Sequence, residues 1–404
     1  MISPPEAFCK VLENVARLPV VSLPLKECLG RVLADTIRAD RDMPPADRSA
    51  MDGYAAGAAD LASCPATLRL IGEVAAGSPL RPRVRPGTCV RILTGANVPP
   101  GADTVVMVEQ TSAKDETVTF RAAPKPGENI LRRAENARKG EVLLPEGTVL
   151  SASAIGAAAS SGHARLKVYG IPRVTVLCTG AELRDAGDRV GIHQERNSNG
   201  PSLCAALAVW GYRGCRYATL ADNLDVQTRR IRTAAARYDV VLVVGGVSVG
   251  CYDYVSRAVE AAGGKTLFHG VAMKPGKPLL MARFGRRAVL FGLPGNPLSA
   301  MVGFHEFVLP GLRRMSGLAA EACRPAIYAP LAADLTHKGG TQRHMPARIR
   351  WQPTGAVIEP VESQSSADLV AGGKADGTIL LLPQPKVLPA GTLVEFRPWR
   401  PLVI

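Results

Sequence analysis

Two lysines lie in a short loop whose sequence suits the binding of an oxyanion. The loop reads Met273-Lys274-Pro275-Gly276-Lys277-Pro278, so each lysine is next to a proline and a glycine lies between them. Proline fixes the backbone angle φ, and a fixed pair of ammonium groups favours an anion with several oxygens. A solvated loop can also hold two lysines for solubility alone. The neighbouring sequence is therefore needed to distinguish an oxyanion site from a solvated loop.

Glycine-rich turns follow three strand-like runs near this loop. They are Thr179-Gly180, Gly245–Gly250 and Pro294-Gly295-Asn296, and the last two enclose the lysine loop within the stretch Tyr238–Pro297. In a doubly wound sheet, ligands bind where the strands end and the next helices begin. Glycine lets the backbone approach a ligand closely and direct N–H groups at it. Any one turn could be an ordinary tight connection, but three turns with two lysines favour a phosphate site.

Two other readings of the middle turn are weaker. Gly245 and Gly250 have P-loop spacing, but Cys251-Tyr252 replaces the lysine and hydroxyl residue that such a loop needs. Gly246–Gly250 also fits a nucleophile elbow with Ser248 as the nucleophile. A hydrolase triad would also need an acid and a histidine, and the candidates are Asp334 with His337 or His344, which lie in the β-rich tail. The hydrolase hypothesis also gives no role to Lys274 and Lys277.

The composition indicates which kinds of partner the protein binds and in which compartment it resides. Net charge is +14, which favours anionic partners, whereas aromatic residues are only 5%, which speaks against single-stranded nucleic acid. No apolar run is long enough to predict a membrane span, so neither nucleic acid nor membrane is an expected partner. Nine cysteines without a C-x-x-C pair predict reduced thiols in the cytoplasm, and the six histidines show no zinc-ligand spacing.

The first half of the chain predicts a helix followed by a β-rich region. Ser3-Pro4-Pro5-Glu6 resembles a capping box at the start of an amphipathic helix, rather than a signal peptide. Strand-like runs separated by Pro/Gly turns then continue to about Arg138. Glu141–Val149 predicts a further strand pair with a Pro-Glu-Gly turn.

The second half predicts an α/β domain and a terminal β domain. From Ile171, strands alternate with helices of ten or more residues, which is typical of a parallel, doubly wound sheet. Asn223 is a candidate helix cap, and Pro297–Met315 predicts one long helix. Beyond Arg324 the short strands, among them Ile349–Trp351, predict a small β barrel or sandwich.

Five motifs occur in a fixed order along the chain: Ser49-Ala50-Met51-Asp52-Gly53-Tyr54-Ala55, Leu93-Thr94-Gly95-Ala96, Gly245–Gly250, Lys274–Pro278 and Gly292-Leu293-Pro294-Gly295-Asn296-Pro297. Together they resemble the MoeA family, the molybdopterin molybdenumtransferases that include the carboxy-terminal domain of gephyrin. The resemblance spans nearly the whole chain, and five ordered motifs exclude a chance similarity.

The resemblance implies a multidomain α/β architecture, usually an elongated homodimer. Residues 1–40 and 139–170 would form a split linker and dimerisation domain, and 41–138 a β-rich domain. Residues 171–317 would form the molybdopterin-binding, doubly wound α/β domain, and 318–404 a C-terminal β barrel.

The resemblance also implies a reaction. Molybdenum would pass from molybdate to the dithiolene of adenylylated molybdopterin, with release of AMP and help from Mg²⁺, in molybdenum cofactor biosynthesis. Contact with other molybdenum cofactor enzymes is a further implication. A basic protein suits these substrates because one contains a pyrophosphate and the other is an oxyanion, and carboxylates are needed to hold the cation.

Matching to the family motifs implies a role for each candidate residue. Asp52, Glu182, Asp222 and Asp253 would be catalytic, and the last three would hold the metal. Substrate would contact Thr94, Gly245, Gly246, Ser248, Gly250, Lys274, Lys277, Pro278, Pro294, Gly295, Asn296, Pro297, Arg343 and Ser366. Among these, Lys274, Lys277 and Pro278 would bind molybdate, with Arg343 and Ser366 reaching in from the barrel. Asp52 and Thr94 would approach the α/β domain of the other subunit.

The sequence departs from the family pattern mainly at acidic positions. At three positions where relatives often have an acid, this sequence has Asn136, Ala181 and Asn223. At a fourth position, Cys251-Tyr252 replaces a pair that is smaller and contains an acid. Met345-Pro346 replaces an acidic-aromatic pair near Arg343. Each lost carboxylate would weaken the binding of a cation, so the alternative is a weakened paralogue that acts as a molybdopterin-binding or scaffold protein.

Overall fold

The chain forms two units in this computed structural model, which describes residues 1–247 and 254–402. The first unit comprises Met1–Leu23, Gly30–Ala34 and Lys167–Ile404, and the second comprises Pro24–Leu29 and Asp35–Leu166. Strands Val20–Pro24 and Arg165–Tyr169 each include residues of both units. None of the helices in the described ranges has the length and apolar character needed to cross a membrane.

A six-stranded sheet forms the centre of the first unit. In spatial order its strands are Arg216–Leu220, Val174–Thr179, Val240–Val244, Ala288–Leu293, Leu280–Phe284 and Lys265–His269. The first four run parallel, the fifth runs antiparallel to both of its neighbours, and the sixth therefore has the direction of the first four, so the prediction of a parallel sheet holds for all strands but Leu280–Phe284. Only Gly285-Arg286-Arg287 joins the fifth strand to the fourth, and a connection this short makes a hairpin rather than a crossover.

Both faces of this sheet are buried, which explains its continuous apolar strands. Along Val240–Val244, every residue is buried, and alternate residues belong to two different hydrophobic clusters. One cluster includes Val11, Leu203 and Leu309, and the other includes Ile231. Helices therefore cover both faces, and the predicted fold class, a multidomain chain with a doubly wound α/β domain, is confirmed. These helices are Pro4–Asn14, Asn199–Val209, Leu224–Arg237, Tyr254–Ala261, Pro297–Gly303 and Leu309–Met315.

The predicted helix caps form, but the predicted long helix is not uniform. Ser3 Oγ accepts a hydrogen bond from the N–H of Glu6 at 3.2 Å, and Asn223 Oδ1 accepts from that of Val226 at 3.0 Å. Within the range predicted as one α-helix, Phe304–Val308 is a π-helical turn. Such turns are rare in helices and frequent near functional groups.

The C-terminal part of the first unit is β-rich around Ala347, Ile379 and Phe396. Its elements are Ile327–Pro330, Leu335–His337, Gln342–Gln352, Gly355–Pro360, Gly377–Leu381, Lys386–Leu388, Leu393–Pro398 and the short helix Leu369–Lys374. The predicted strand Ile349–Trp351 is the end of the much longer Gln342–Gln352. Basic residues and Pro346 obscured its beginning, although Pro346 stays within the ladder opposite Thr378. The two-residue strand Met273–Lys274 pairs in parallel with Gln342 and Arg343. The short strands Leu183–Arg184 and Glu195–Arg196 pair elsewhere in this unit.

The second unit is built on another six-stranded sheet. Its strands, in spatial order, are Thr104–Met107, Gly53–Ala56, Thr88–Ile92, Ala66–Val74, Thr117–Phe120 and Thr111–Lys114. Helix Ala152–Ser160 begins at Ser151, whose Oγ accepts from Ala154 N–H. Short strands Ile130–Leu131 and Arg48–Ser49 form a pair. The predicted strand pair in Glu141–Val149 was wrong, because only Val142–Leu144 is a strand there and it pairs with Ile37–Arg38.

Gly53 is expected to tolerate no side chain, because its strand lies against Val106. A Cβ built at Gly53 would lie 2.0 Å from the carbonyl oxygen of Val106. Replacement by alanine should therefore lower the stability of the second unit by about 3 kcal/mol, at the upper end for overpacking. Hydrogen exchange of the Thr104–Met107 amides would measure this loss. Gly57→Ala is the control, because a Cβ there meets Asp60 Oδ2 at an ordinary 3.5 Å, and equal exchange in both variants would contradict the prediction.

Candidate active site

The candidate site lies where the order of the parallel strands reverses. Val174–Thr179 has Arg216–Leu220 on one side and Val240–Val244 on the other. The connections that lead to these two strands therefore run to opposite sides of Val174–Thr179. At such a switch point the turns after the strands separate and leave a crevice. Thr179-Gly180 and Gly245-Gly246 end two of these strands at this point.

A cavity of about 760 Å³ opens at these strand ends. It brings together the three glycine turns, the lysine loop and two carboxylates that the sequence had singled out. Of the predicted residues, Glu182, Asp222, Gly245, Gly246, Lys274, Lys277, Pro278, Pro294, Gly295, Asn296 and Ser366 line it. Pro297 begins the helix after the third turn.

The glycine turns require glycine at two positions. Gly245 and Gly246 have φ angles of 92° and 61°, in the left-handed region that other residues avoid. A Cβ at Gly245 would lie 2.7 Å from the carbonyl oxygen of Thr179, and one at Gly295 would lie 3.5 Å from Gly245 Cα. The three turns therefore approach one another with backbone only, which leaves their surfaces available to a ligand.

The lysine loop is held at its base while its charged ends are exposed. Val271 N–H donates to the carbonyl of Lys277 at 2.9 Å, and Gly276 has a φ of 103° at the reversal. Lys274 and Lys277 are exposed side chains on the cavity wall. Arg343 does not line the cavity, but its backbone is in register with Lys274 on the neighbouring strand. Two cationic side chains thus line this side of the cavity, and a third cationic residue lies on the strand beside them.

Two carboxylates line the cavity beside the first glycine turn. Asp222 Oδ2 accepts a hydrogen bond from Ala181 N–H at 3.1 Å. Glu182 folds over Gly180, since a Cβ there would lie 2.5 Å from Glu182 Oε1. Within residues 1–247 and 254–402, no group of three or more His, Cys, Asp or Glu side chains is arranged to hold a metal ion. Two exposed carboxylates nevertheless suit Mg²⁺, which commonly takes one or two carboxylates together with water and substrate phosphates.

Asn199 is a site residue that the sequence analysis missed. Its Nδ2 donates to the carbonyl of Gly295 at 2.7 Å, which ties the first turn of helix Asn199–Val209 to the third glycine turn. Asn296 Nδ2 donates to Ser366 Oγ at 2.7 Å, so the same turn is also tied to the β-rich part. No motif in the sequence indicated Asn199, because its role depends on the distant Gly295.

Asp52 and Thr94 meet in the second unit. Asp52 Oδ1 accepts from both the N–H and the hydroxyl of Thr94, each at 2.7 Å. Hydrogen bonding from the Thr94 N–H, then from its hydroxyl, lowers the pKa of Asp52. Thr94 and Asn136 also line a smaller cavity of about 410 Å³ within this unit.

Some predicted residues lie outside the described part of the chain. Ser248, Gly250 and Asp253 belong to this group, as does the departure at Cys251. Two residues of the hydrolase hypothesis contact the backbone instead of each other: Asp334 Oδ1 accepts from Ala390 N–H at 2.8 Å, and His337 Nε2 lies 2.7 Å from the Leu382 carbonyl. These contacts give the hydrolase reading no support.

Three consecutive parts of the chain match family models. Residues 2–162 match the MoeA N-terminal region (domain I and II), and residues 328–399 match the MoeA C-terminal region (domain IV). Between them, residues 175–314 match a probable molybdopterin binding domain. The sheet and cavity described above lie largely in this middle part, so the chain is of the class that has a probable molybdopterin binding domain.

Similar proteins agree over the full length. A molybdopterin molybdenumtransferase of Staphylococcus aureus is 34% identical over 394 residues, which cover 96% of this chain and 94% of that protein. One from Staphylococcus epidermidis is 32% identical over 98% of this chain and 94% of its own length. A crystal structure of the molybdopterin biosynthesis MoeA protein from Pyrococcus horikoshii OT3 superposes with a TM-score of 0.83 at 25% identity, covering 98% of this chain and all of that one. The chain belongs to the MoeA family, as its motifs indicated.

Proposed function

We propose that this protein is a molybdopterin molybdenumtransferase, which transfers molybdenum from molybdate to adenylylated molybdopterin and releases AMP. The observation that supports this most is the single cavity in which three glycine turns, two lysines and two carboxylates meet. A substrate with a pyrophosphate and a second substrate that is an oxyanion need these groups together. The comparisons give no support to the alternative of a weakened paralogue or scaffold.

We assign the phosphates of molybdopterin to the glycine turns. Gly246, together with Ser248 and Gly250, would present backbone N–H groups to them, while Gly245, whose own N–H donates to the Leu293 carbonyl at 3.0 Å, would allow the close approach. The adjoining turn, Pro294, Gly295, Asn296 and Pro297, would also face them, and the helix that starts at Pro297 adds the positive end of its dipole. Backbone donors bind phosphate without a charged side chain, which leaves the lysines for the other substrate.

Molybdate is assigned to the lysine loop. Lys274 and Lys277 would pair with its oxygens, and Pro278 would hold the end of the loop in a fixed direction. Arg343 would add a third positive charge from the neighbouring strand, and Ser366 a hydroxyl through its contact with Asn296. The chain thereby keeps the oxyanion substrate at one end of the cavity and the pterin phosphates at the other.

Glu182, Asp222 and Asp253 are proposed to hold Mg²⁺, and with Asp52 they form the proposed catalytic set. When bound, the ion would neutralise charge on the phosphates of the adenylylated substrate. Asp222 is held in place by Ala181 N–H, and Glu182 folds over Gly180, so both carboxylates are positioned by the backbone of the same turn.

We further propose a cytoplasmic homodimer with the four-part division predicted from the sequence. In it, Asp52 and Thr94 would approach the α/β domain of the other subunit, because their mutual hydrogen bonds leave them exposed rather than committed to a core. Light scattering during size-exclusion chromatography would test the dimer, and contact with other molybdenum cofactor enzymes would be tested by pull-down with each purified enzyme.

Release of AMP tests the proposed reaction directly. Full-length protein incubated with molybdate, Mg²⁺ and adenylylated molybdopterin should release AMP and yield molybdenum cofactor, with neither product when molybdate is omitted. No AMP under these conditions would refute the transferase. If the pterin still binds and Asn136→Asp does not restore release, the binding-protein alternative would replace it.

Asn199→Ala should weaken binding of the pterin substrate about tenfold. The variant loses the hydrogen bond that orders the third glycine turn, so binding has to order this turn at a cost of up to the worth of that bond, about 1.5 kcal/mol or about a factor of ten in affinity. The KM for adenylylated molybdopterin would measure the loss, while the KM for molybdate should not change. Ser202→Ala is the matched control, because Ser202 Oγ donates to the Asn199 carbonyl within the same helix and not to the third glycine turn as the structure describes it. An unchanged pterin KM in Asn199→Ala would remove this residue from the site.

A further inference from the structure

Two cysteines face each other at close range in the α/β domain. Cys204 lies in helix Asn199–Val209 and Cys215 lies just before strand Arg216–Leu220. Their Sγ atoms are 2.8 Å apart, and both residues are only partly buried. The eight cysteines within residues 1–247 and 254–402 are thiols rather than disulfides.

The turn between the two cysteines holds them opposite each other. Gly211 and Gly214 have φ angles of 90° and 82°, so the chain reverses at both positions before the strand begins. Tyr212, which lies between these two glycines in the sequence, is buried. Its hydroxyl lies 3.3 Å from the Oγ of Ser316, the residue that follows helix Leu309–Met315. The approach of the two sulfurs is therefore imposed by an anchored turn.

The two thiols differ in a way that suits stepwise chemistry. Hydrogen bonding from Cys215 lowers the pKa of Cys204, and the same contact, followed by burial, raises the pKa of Cys215. A thiol with more thiolate character attacks first, and its neighbour then resolves the intermediate.

A third cysteine nearby is excluded from this chemistry by burial. Cys178 lies at the end of strand Val174–Thr179 and is 1% exposed. Burial raises the pKa of its thiol to about 11. Buried thiols of this kind are inert, so the reactive pair is Cys204 with Cys215.

We propose that Cys204 and Cys215 are a reversible dithiol–disulfide site, oxidised by low-molecular-weight disulfides. The Cys204 thiolate attacks one sulfur of the oxidant, forming a mixed disulfide and releasing one thiol. Cys215 then loses its proton and attacks the Cys204 sulfur, which forms the Cys204–Cys215 bond and releases the second thiol. Two electrons pass from the protein to the oxidant: the protein loses two hydrogen atoms, and the oxidant is reduced to two thiols.

Closing this bond would join two elements that border the candidate site. The helix that contains Cys204 begins at Asn199, which bonds to Gly295. The strand after Cys215 leads to Asp222, which accepts from Ala181 N–H. The modification site is thus distinct from the cavity residues but shares their supporting elements.

Oxidised glutathione is the probe for the test. Reduced full-length protein is equilibrated with it, quenched in acid, alkylated with N-ethylmaleimide and mapped by peptide mass spectrometry. We expect a loss of two hydrogen atoms, a cross-linked peptide pair containing Cys204 and Cys215, and reversal by dithiothreitol. Alkylation of both cysteines after equilibration, a persistent glutathione adduct on Cys204, or a cross-link to any other cysteine would overturn the proposal.

Variants separate the attacking thiol from the resolving thiol. Cys215→Ser should accumulate glutathione on Cys204, whereas Cys64→Ser, which removes a partly buried cysteine of the second unit, should form the cross-link as the wild type does. If protein unfolded in urea forms the same pair as fast as native protein, the folded geometry is not responsible and the proposal fails. The wild-type measurement stands even where a variant does not fold.

Discussion

Replacing both Lys274 and Lys277 with alanine is expected to lower the affinity for molybdate at least about a hundredfold. A hydrogen bond to a charged partner contributes about 1.5–3 kcal/mol, and each 1.4 kcal/mol is about a factor of ten in affinity. Two such contacts therefore give about two orders of magnitude at the lower end. Both side chains are exposed on a loop whose base is held by backbone hydrogen bonds, so the fold should be unaffected. Equilibrium dialysis with radiolabelled molybdate would measure the change.

A control must separate the loop from the overall positive charge. Lys265→Ala combined with Lys338→Ala removes two exposed lysines from the same unit and lowers the net charge equally. If general charge attraction holds molybdate, both double variants should weaken binding alike, and a higher salt concentration should weaken binding to the wild type as well. Unchanged molybdate binding in the loop variant would show that Lys274 and Lys277 are not the oxyanion site.

The strand ends and turns of the site were predictable because local chemistry determines them. The strand Val240–Val244 coincides with an uninterrupted apolar run that begins after Asp239 and ends at Gly245, as expected for a strand buried on both faces. Asn223 was predicted as a cap because its side chain bonds within the next turn. The glycine turns were predictable for the same reason, because glycine readily adopts the positive φ that is observed at Gly245.

The remaining features depend on which distant segments meet. No local pattern distinguishes the antiparallel strand Leu280–Phe284 from a parallel one, since both are apolar and buried. Asn199 becomes a site residue only because Gly295 packs against its helix. Cys204 and Cys215 likewise lack the close sequence spacing by which reactive pairs are usually recognised.

Glu306 is expected to be the residue whose neutralisation costs the first unit most stability. It lies in the π-helical turn and is 2% exposed, and its Oε2 accepts a hydrogen bond from Arg397 and lies 3.6 Å from Arg324 Nε. Its Oε1 lies 3.3 Å from His344 Nδ1. His344 neighbours Arg343 on strand Gln342–Gln352, so this buried cluster fixes the strand that supports the proposed molybdate end.

Glu306→Gln keeps the shape but removes the buried carboxylate that Arg324 and Arg397 share, while Arg397 keeps another one, that of Glu395. Removing one partner of a buried ion pair typically costs about 3–5 kcal/mol, whereas exposed pairs contribute about 1 kcal/mol or less. Glu359→Gln is the matched control, because Glu359 pairs with Arg350 at the surface. The three tryptophans, Trp210, Trp351 and Trp399, all belong to the first unit. Their fluorescence in urea should therefore show a large loss for Glu306→Gln and a small one for Glu359→Gln.

The pH dependence identifies charge as the cause of that loss. Burial raises the pKa of Glu306, but His344, then Arg397 and Arg324, together outweigh it and hold the pKa far below the usual range. The unfolded chain takes up a proton near pH 4.3 while folded Glu306 stays ionised, so its stabilisation is complete above that pH and declines below it. The stability difference between wild type and Glu306→Gln should accordingly shrink by about 1.4 kcal/mol per pH unit below about pH 4. A difference that stays constant down to pH 3 would mean that the glutamine disturbs packing, because a packing cost does not titrate.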